Sequence, residues 1–354
     1  MKRTTKYVGL DVHQASTVAS VREASGRVIA RSVLPTEGGA LTEFLRGMRG
    51  AVHLTFEEGT QAQWLHDLLT PLVDRVVVCD RRGAPRQGNK GDQVDADQLS
   101  ELLRRGSLRA VYHGSPHLAT LKELTRAYRN VVEDATRVML RLKALFRARG
   151  IPTCGTKVYQ TRDRAHWLAQ LADRGARFRA RVLYAELDRL RMLRPKVKAV
   201  MLAEARRDPA WAVLRTIPFL GPVRVALLLA TLGTPWRFRT KRHLWAYAGL
   251  AVVTHSSADY LVVGGQVMRR RRAPRTRGLN RNHNRVVKDV FKGAATAATA
   301  RPGALHDFYH RLLTQGMRPE LARVTLTRKL AALTLRLWKR GERYDPTQLT
   351  MPAR

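Results

Sequence analysis

Asp11, Glu57, Asp92 and Asp95 are the residues of this chain best suited to chemistry, because each ends or flanks an element able to present a carboxylate. Acid is otherwise scarce: 28 Asp+Glu stand against 65 Lys+Arg, a formal net charge of +37 over 354 residues. Carboxylates that converge repel one another unless a cation neutralises them, and Mg²⁺ prefers carboxylate, phosphate oxygen and water. Acids at strand ends in so basic a chain therefore imply a divalent-metal site, Mg²⁺ or alternatively Mn²⁺, that handles phosphates. Lys and Arg in such excess repel in the folded state, and a polyanion relieves that repulsion while releasing its counterions. DNA, RNA or both are the expected partners. A membrane surface is a weaker match, since the sequence shows no lipidation signal and no strongly amphipathic terminal helix.

The elements that must position these acids can be traced along the first third. Lys6–Asp11 is a short apolar run ending in Asp, Ser16–Val21 alternates, and Arg27–Leu34 follows a Ser25-Gly26 turn, which predicts a three-strand meander. Helical spacing at Glu37–Arg46 and Trp64–Leu72 alternates with strands at Val52–Glu57 and Arg75–Asp80. This order suits an α/β fold with a mixed sheet of ribonuclease-H type. Lys90–Arg104 has helical periodicity with Leu99, Leu102 and Leu103 apolar. On that helix Asp92 and Asp95, three apart, share a face near the N-terminus. Asp92 also reads as an ordinary first-turn acid, and Glu58, Asp97 and Glu101 are neighbouring acids that compete for the role.

The middle of the chain predicts two long helical stretches, Leu118–Arg149 and Ala165–Arg206, the second interrupted by Pro195, as in a helical hairpin or coiled coil. Leu214–Leu232 has the look of a helix-hairpin-helix unit, with Phe219 where the first glycine usually stands and Gly221 remaining. Trp236–Leu250 predicts a further helical pair, and Gly293–Ala300 and Ala322–Leu337 are also helical. Between them a serine pair, Ser256-Ser257, precedes a basic tract of Arg269, Arg270, Arg271, Arg272, Arg275, Arg277, Arg281 and Arg285. Such a tract is a phosphate-binding surface that adds affinity rather than sequence specificity. Arginine can stabilise charge on a phosphoryl group while a serine attacks it, although a serine pair is also a common loop feature. Cys79 and Cys154 stand in no metal or redox spacing, and no stretch reads as a membrane span or signal-peptide core. The expected compartment is the cytoplasm.

Tyr7–Asp11, F-E-E-G at Phe56–Gly59 and K-x-D-x-x-D-A-x-x-L at Lys90–Leu99 resemble the DEDD transposases of bacterial insertion sequences. The resemblance is to the insertion-sequence 110 family, related to the Piv DNA invertases. The second half agrees in I-P-x-x-G-P at Ile217–Pro222, R-F at Arg237-Phe238, A-Y-A-G-L at Ala246–Leu250 and the serine pair. R-K-L-A at Arg328–Ala331 and Y-D-P at Tyr344–Pro346 close the series.

This resemblance implies a RuvC-like α/β domain over residues 1–112, a coiled-coil connector over 113–209, and a mainly α-helical transposase domain over 210–354. It implies Asp11, Glu57, Asp92 and Asp95 as metal ligands, with Glu58 as substitute for Glu57. Ser257 is implied as nucleophile, with Ser256 as fallback; Ala258 stands where the family commonly has glycine. The implied activity is serine-dependent DNA cleavage and strand exchange on donor and target duplexes, guided by a structured non-coding RNA. The long helices permit a homodimer, recombination between two duplexes favours its assembly to a tetramer, and the expected location is near the nucleoid. With acids and serine in different domains, the site would assemble by domain closure or between subunits. The competing expectations are a Piv-like invertase without guide RNA, a hydrolytic RuvC-type nuclease that needs only the acids, and a non-catalytic nucleic-acid scaffold.

Overall fold

The computed structural model describes residues 4–80, 91–114, 116–255, 260–263, 266–269 and 275–349. The chain divides into two compact units, Met1–Pro116 and His117–Arg354.

The first unit is built on β1 (Thr5–Val12), β2 (Ser16–Glu23), β3 (Val28–Pro35), α1 (Gly38–Arg46), β4 (Ala51–Glu57), α2 (Ala62–Leu69), β5 (Arg75–Cys79) and α3 (Asp92–Arg104). Its five strands form one sheet in the order β3-β2-β1-β4-β5. β1 pairs antiparallel with β2, β2 antiparallel with β3, and β1, β4 and β5 run parallel. The mixed sheet and its three-strand meander are as the sequence predicts.

Alternation along β1 gives the sheet two different faces. Val8 and Leu10 join Leu54, Phe56 and Val78 in a buried apolar layer with Leu41 and Leu45 of α1 and Leu65 and Leu69 of α2. Each such fully buried side chain contributes roughly 1.5–3 kcal/mol. Gly9 faces the other way, against α3. A Cβ there would stand 2.4 Å from the Ala96 carbonyl oxygen, 2.5 Å from the Ser100 amide nitrogen and 2.9 Å from Leu99 Cβ. Two of these are backbone atoms that cannot swing aside, so the helix rests directly on the strand only because position 9 has no side chain.

α3 runs antiparallel to β1. Its last residue, Arg104, donates to the Ala24 carbonyl beyond the end of β2, where Glu23 pairs with Lys6 at the start of β1. Its first turn, with Asp92 and Asp95, therefore lies at the opposite end, where β1 finishes.

The second unit contains α4 (Pro116–Arg147), α5 (Arg164–Ala169), α6 (Arg174–Ala205), α7 (Ala210–Leu214), α8 (Pro222–Leu232) and α9 (Lys241–Tyr247). Four short strands follow: β6 (Val252–His255), β7 (Tyr260–Val263), β8 (Gln266–Arg269) and β9 (Arg275–Leu279). α10 (Arg285–Thr299), α11 (Ala304–Thr314) and α12 (Pro319–Arg340) complete it. One apolar cluster, including Val138, Leu142, Phe146, Trp167, Leu183 and Leu187, holds α4, α5 and α6 together. A larger one, including Leu214, Leu228, Phe291, Phe308 and Leu330, unites α7 to α12 with parts of α4 and α6.

One sequence expectation is corrected. α6 continues through Pro195 instead of breaking there. Proline removes one helical N–H, and residues 191–196 are exposed, so water reaches the carbonyl that loses its donor. The segment after Leu250 forms strands: β6 pairs with β9, and β7 with β8, all antiparallel.

Candidate active site

Parallel pairing sets the first two acids side by side. Leu10 of β1 is registered with Phe56 of β4, so the next residues along, Asp11 and Glu57, sit at adjoining strand ends. Asp11 follows Gly9 by two positions and so faces α3. Asp92 and Asp95 then approach from the first turn of α3. Asp11 is held at 15% side-chain exposure and Asp92 at 61%.

The structure adds His13, which the sequence reading did not single out. Its Nε2 lies 3.2 Å from Asp11 Oδ2 and 3.5 Å from Asp92 Oδ2. One ligand atom each from Asp11, His13 and Asp92 lies within 4.8 Å of the others. Glu57 and His13 also line one cleft of about 410 Å³. The signal for His13 was its offset of two from Asp11 at a strand end.

Burial raises the pKa of Asp11; the His13 charge and hydrogen bond oppose this, while the charges of Asp95 and Asp92 reinforce it. A carboxylate in that setting is electrostatically uncomfortable, and a bound cation would relieve it. The donor set fits a divalent ion: carboxylate oxygens suit Mg²⁺ or Mn²⁺, and an imidazole nitrogen suits Mn²⁺ better than Mg²⁺.

The neighbouring acids have other partners. Asp97 accepts hydrogen bonds from Ser20 Oγ at 2.6 Å and Arg31 Nη2 at 2.8 Å. Burial alone would raise its pKa, but the Arg31 and Ser20 hydrogen bonds with the charges of Arg31 and Arg22 outweigh it and leave the carboxyl below its ordinary value. Glu101 is pulled down to about 2 by hydrogen bonding from Arg104, helped against burial by Arg105 and both charges. Glu58 meets His113 Nε2 at 2.8 Å, and that ring stacks on His66. Asp97 thus pins α3 across β2 and β3. Because its folded pKa is depressed, its contribution is present above the ordinary carboxyl pKa of about 3.9 and is lost as pH falls through the lower folded value. Asp97→Asn should lower the thermal midpoint at pH 7 by about 2–4 °C, and the gap to wild type should close in acid. Calorimetry over a pH series checks this.

Ser256, Ser257, Arg270, Arg271 and Arg272 lie outside the described residues. Arg269 ends β8, and Arg275 and Arg277 lie on β9. Arg281 and Arg285 are exposed, the latter opening α10. His255, which directly precedes the serine pair, is registered with Arg275. The base of these strands is firmly held. Arg328 Nε donates to the Leu250 carbonyl at 2.6 Å, and Trp245 Nε1 donates to the Arg328 carbonyl at 3.0 Å. Gly249 has φ +64°, and a Cβ on it would stand 2.4 Å from His283 Cγ. The A-Y-A-G-L and R-K-L-A motifs thus meet as the footing of the strands that flank the serine pair. Tyr344 of the Y-D-P motif likewise donates its amide to Thr216 Oγ1 at 2.9 Å, next to the I-P-x-x-G-P motif. Phe219 within that motif takes φ +65°, so the backbone keeps the left-handed turn although a phenylalanine occupies it.

The acidic centre thus lies on an α/β unit that is followed by a strongly basic, mainly helical unit. A transposase family model matches residues 8–148, and one described as the IS116/IS110/IS902 transposase family matches residues 212–310. The chain belongs to this family of insertion-sequence transposases. It is 30% identical over 163 residues to the insertion element IS110 uncharacterized 43.6 kDa protein of Streptomyces coelicolor. That match spans 46% of this chain and 36% of the relative. Among the described residues no helix is long and apolar enough to cross a membrane.

Proposed function

We propose that this chain cleaves and exchanges DNA strands during transposition, with a serine nucleophile and a divalent cation acting together. The observation that carries the reading is the meeting of Asp11, His13 and Asp92 within 4.8 Å at the end of β1. The strand order β3-β2-β1-β4-β5, with β1 central, supports a ribonuclease-H or RuvC-like assignment of the first unit. The distinct apolar cluster of α4–α6 is consistent with a connector within 113–209, and the larger cluster centred on α7–α12, which also takes in parts of α4 and α6, with a transposase domain over 210–354.

In this reading Asp11, Glu57, Asp92 and Asp95 hold the cation, with His13 as an additional ligand or as the group that orients Asp11. When bound, the ion supplies Lewis-acid stabilisation of charge on the scissile phosphate and leaving oxygen. Ser257 Oγ attacks phosphorus, a serine–phosphate bond forms, the strand's P–O bond breaks, and a free hydroxyl departs. The new ester conserves the phosphodiester's energy, so rejoining needs no ATP. Arg281, Arg285 and the rest of the tract steady the phosphate backbone. A structured guide RNA would supply sequence specificity by base pairing, and the excess of cationic side chains suits a protein that holds RNA and two duplexes.

The test is cleavage of matched donor and target DNA by the full chain, co-expressed with its flanking RNA, with Mg²⁺ or Mn²⁺ and then with chelator. Products are resolved before and after protease. DNA that stays protein-linked until proteolysis, only when metal is present, is the expected result. Free ends without any protein link would instead indicate a hydrolytic nuclease.

A further inference from the structure

The second unit contains a cationic cleft separate in sequence from the tract at 269–285. It has a volume of about 410 Å³ and lies between α12 and the segment running from the Pro235–Arg237 turn into α9. Arg239, Lys241, Lys329, Arg336, Lys339 and Arg340 line it, and among the described lining residues there is no carboxylate. Lys329, Arg336 and Arg340 recur at helical spacing, so α12 presents a stripe of positive charge along one face. Eleven residues of helix extend about 16 Å, enough to follow several phosphates of an extended strand.

The charges are crowded. Burial lowers the pKa of Lys329, and the charges of Arg336, Lys241 and Arg311 lower it further. Lys339 Nζ donates to the Phe238 carbonyl at 2.6 Å, and Arg340 meets Glu342 at 3.7 Å on the rim. A groove of one sign with apolar walls, here Leu333 and Leu335, focuses the field on whatever anion enters. At its edge Trp236 is 70% exposed, with Lys339 Nζ 5.3 Å from its ring centroid. An indole left open to solvent beside a row of cations is the pairing that binds an unpaired nucleotide: phosphates take the charge and a base stacks on the ring.

We propose that this cleft binds a single-stranded nucleic-acid segment, with its phosphates along Arg239, Lys241 and the α12 stripe and one base on Trp236. The site rests on membership of a transposase family and not on the acidic centre, so it stands or falls independently of the cleavage chemistry.

The experiment measures binding by the full chain in chelator, where no cleavage occurs. Fluorescein-labelled single-stranded RNA, single-stranded DNA and duplex DNA of one sequence are titrated over a salt series. The triple variant R239Q/K241Q/R340Q changes exposed side chains, and R179Q/R181Q/R189Q on α6 removes the same charge elsewhere. The cleft triple should weaken single-strand binding by about tenfold or more and reduce the salt slope by about two. The α6 triple should do much less. Trp236→Ala should weaken single-strand binding by about fivefold to tenfold and leave the duplex unchanged. A loss confined to RNA, or to DNA, supports the site and identifies which strand occupies it. Equal losses in the two triples, or a Trp236→Ala effect on duplex alone, would overturn the proposal.

Discussion

Ser257→Ala is expected to abolish the protein–DNA link and strand exchange together, a fall of at least about 10³–10⁴ in rate on the scale set by loss of a covalent nucleophile. The acidic centre lies wholly in the first unit, so the substitution leaves metal binding and the fold of that unit untouched. This separates the readings sharply. A serine recombinase loses the link and the recombinant product. A nuclease that uses its acids to activate water keeps cutting at the wild-type rate. Ser256→Ala serves as the companion: if Ser256 is the nucleophile, the two outcomes exchange places. Gel mobility before and after protease, with joined products counted by sequencing, gives the answer.

Asp11→Asn is the second large effect. It keeps the size of the side chain and removes the charge at the point where β1, β4 and the first turn of α3 adjoin. Metal-dependent cleavage should fall by about 10³-fold, the equivalent of several kcal/mol of lost charge stabilisation. Mn²⁺ binding followed by calorimetry should be lost in parallel. The metal-free protein should be no less stable than wild type, because burial and the acids at 92 and 95 disfavour the Asp11 carboxylate. Lost binding with retained or improved stability is a combination that mere misfolding cannot give. His13→Gln should lower Mn²⁺ affinity by about 10–100-fold, the scale seen when a supporting ligand is removed. Unchanged affinity there would make His13 a bystander.

Much of the first unit is legible in the sequence because its signals are local. Alternation marks β1 and β2, Ser25-Gly26 marks the turn into β3, and Leu99 with Leu103 marks the buried side of α3. The convergence of the acids is less legible, since it depends on strand order and on α3 lying directly on Gly9. Neither has a one-dimensional signature. His13 is a near miss: the period of two that points Asp11 toward α3 points position 13 to the same side, but a lone histidine is more often a satisfied surface residue. The strands at 252–279 carried a signal in Gly264-Gly265 between two apolar runs. The adjoining arginines mask it by suggesting a solvated loop. Pro195 misleads because proline usually ends helices, whereas an exposed stretch lets water replace the missing donor.

The division at Pro116 also partitions charge. Residues 1–116 carry 16 Lys+Arg against 13 Asp+Glu, whereas residues 117–354 carry 49 against 15. Under the proposed function, affinity for polyanion and the carboxylate chemistry would therefore fall to different parts of one polypeptide. Once the basic part has captured a strand, covalent connection alone raises the effective concentration of that strand at the nearly neutral part. In the proposed reaction that nearly neutral part would need little grip of its own, and weak intrinsic binding there would let a cut or rejoined strand leave while the basic part keeps its hold.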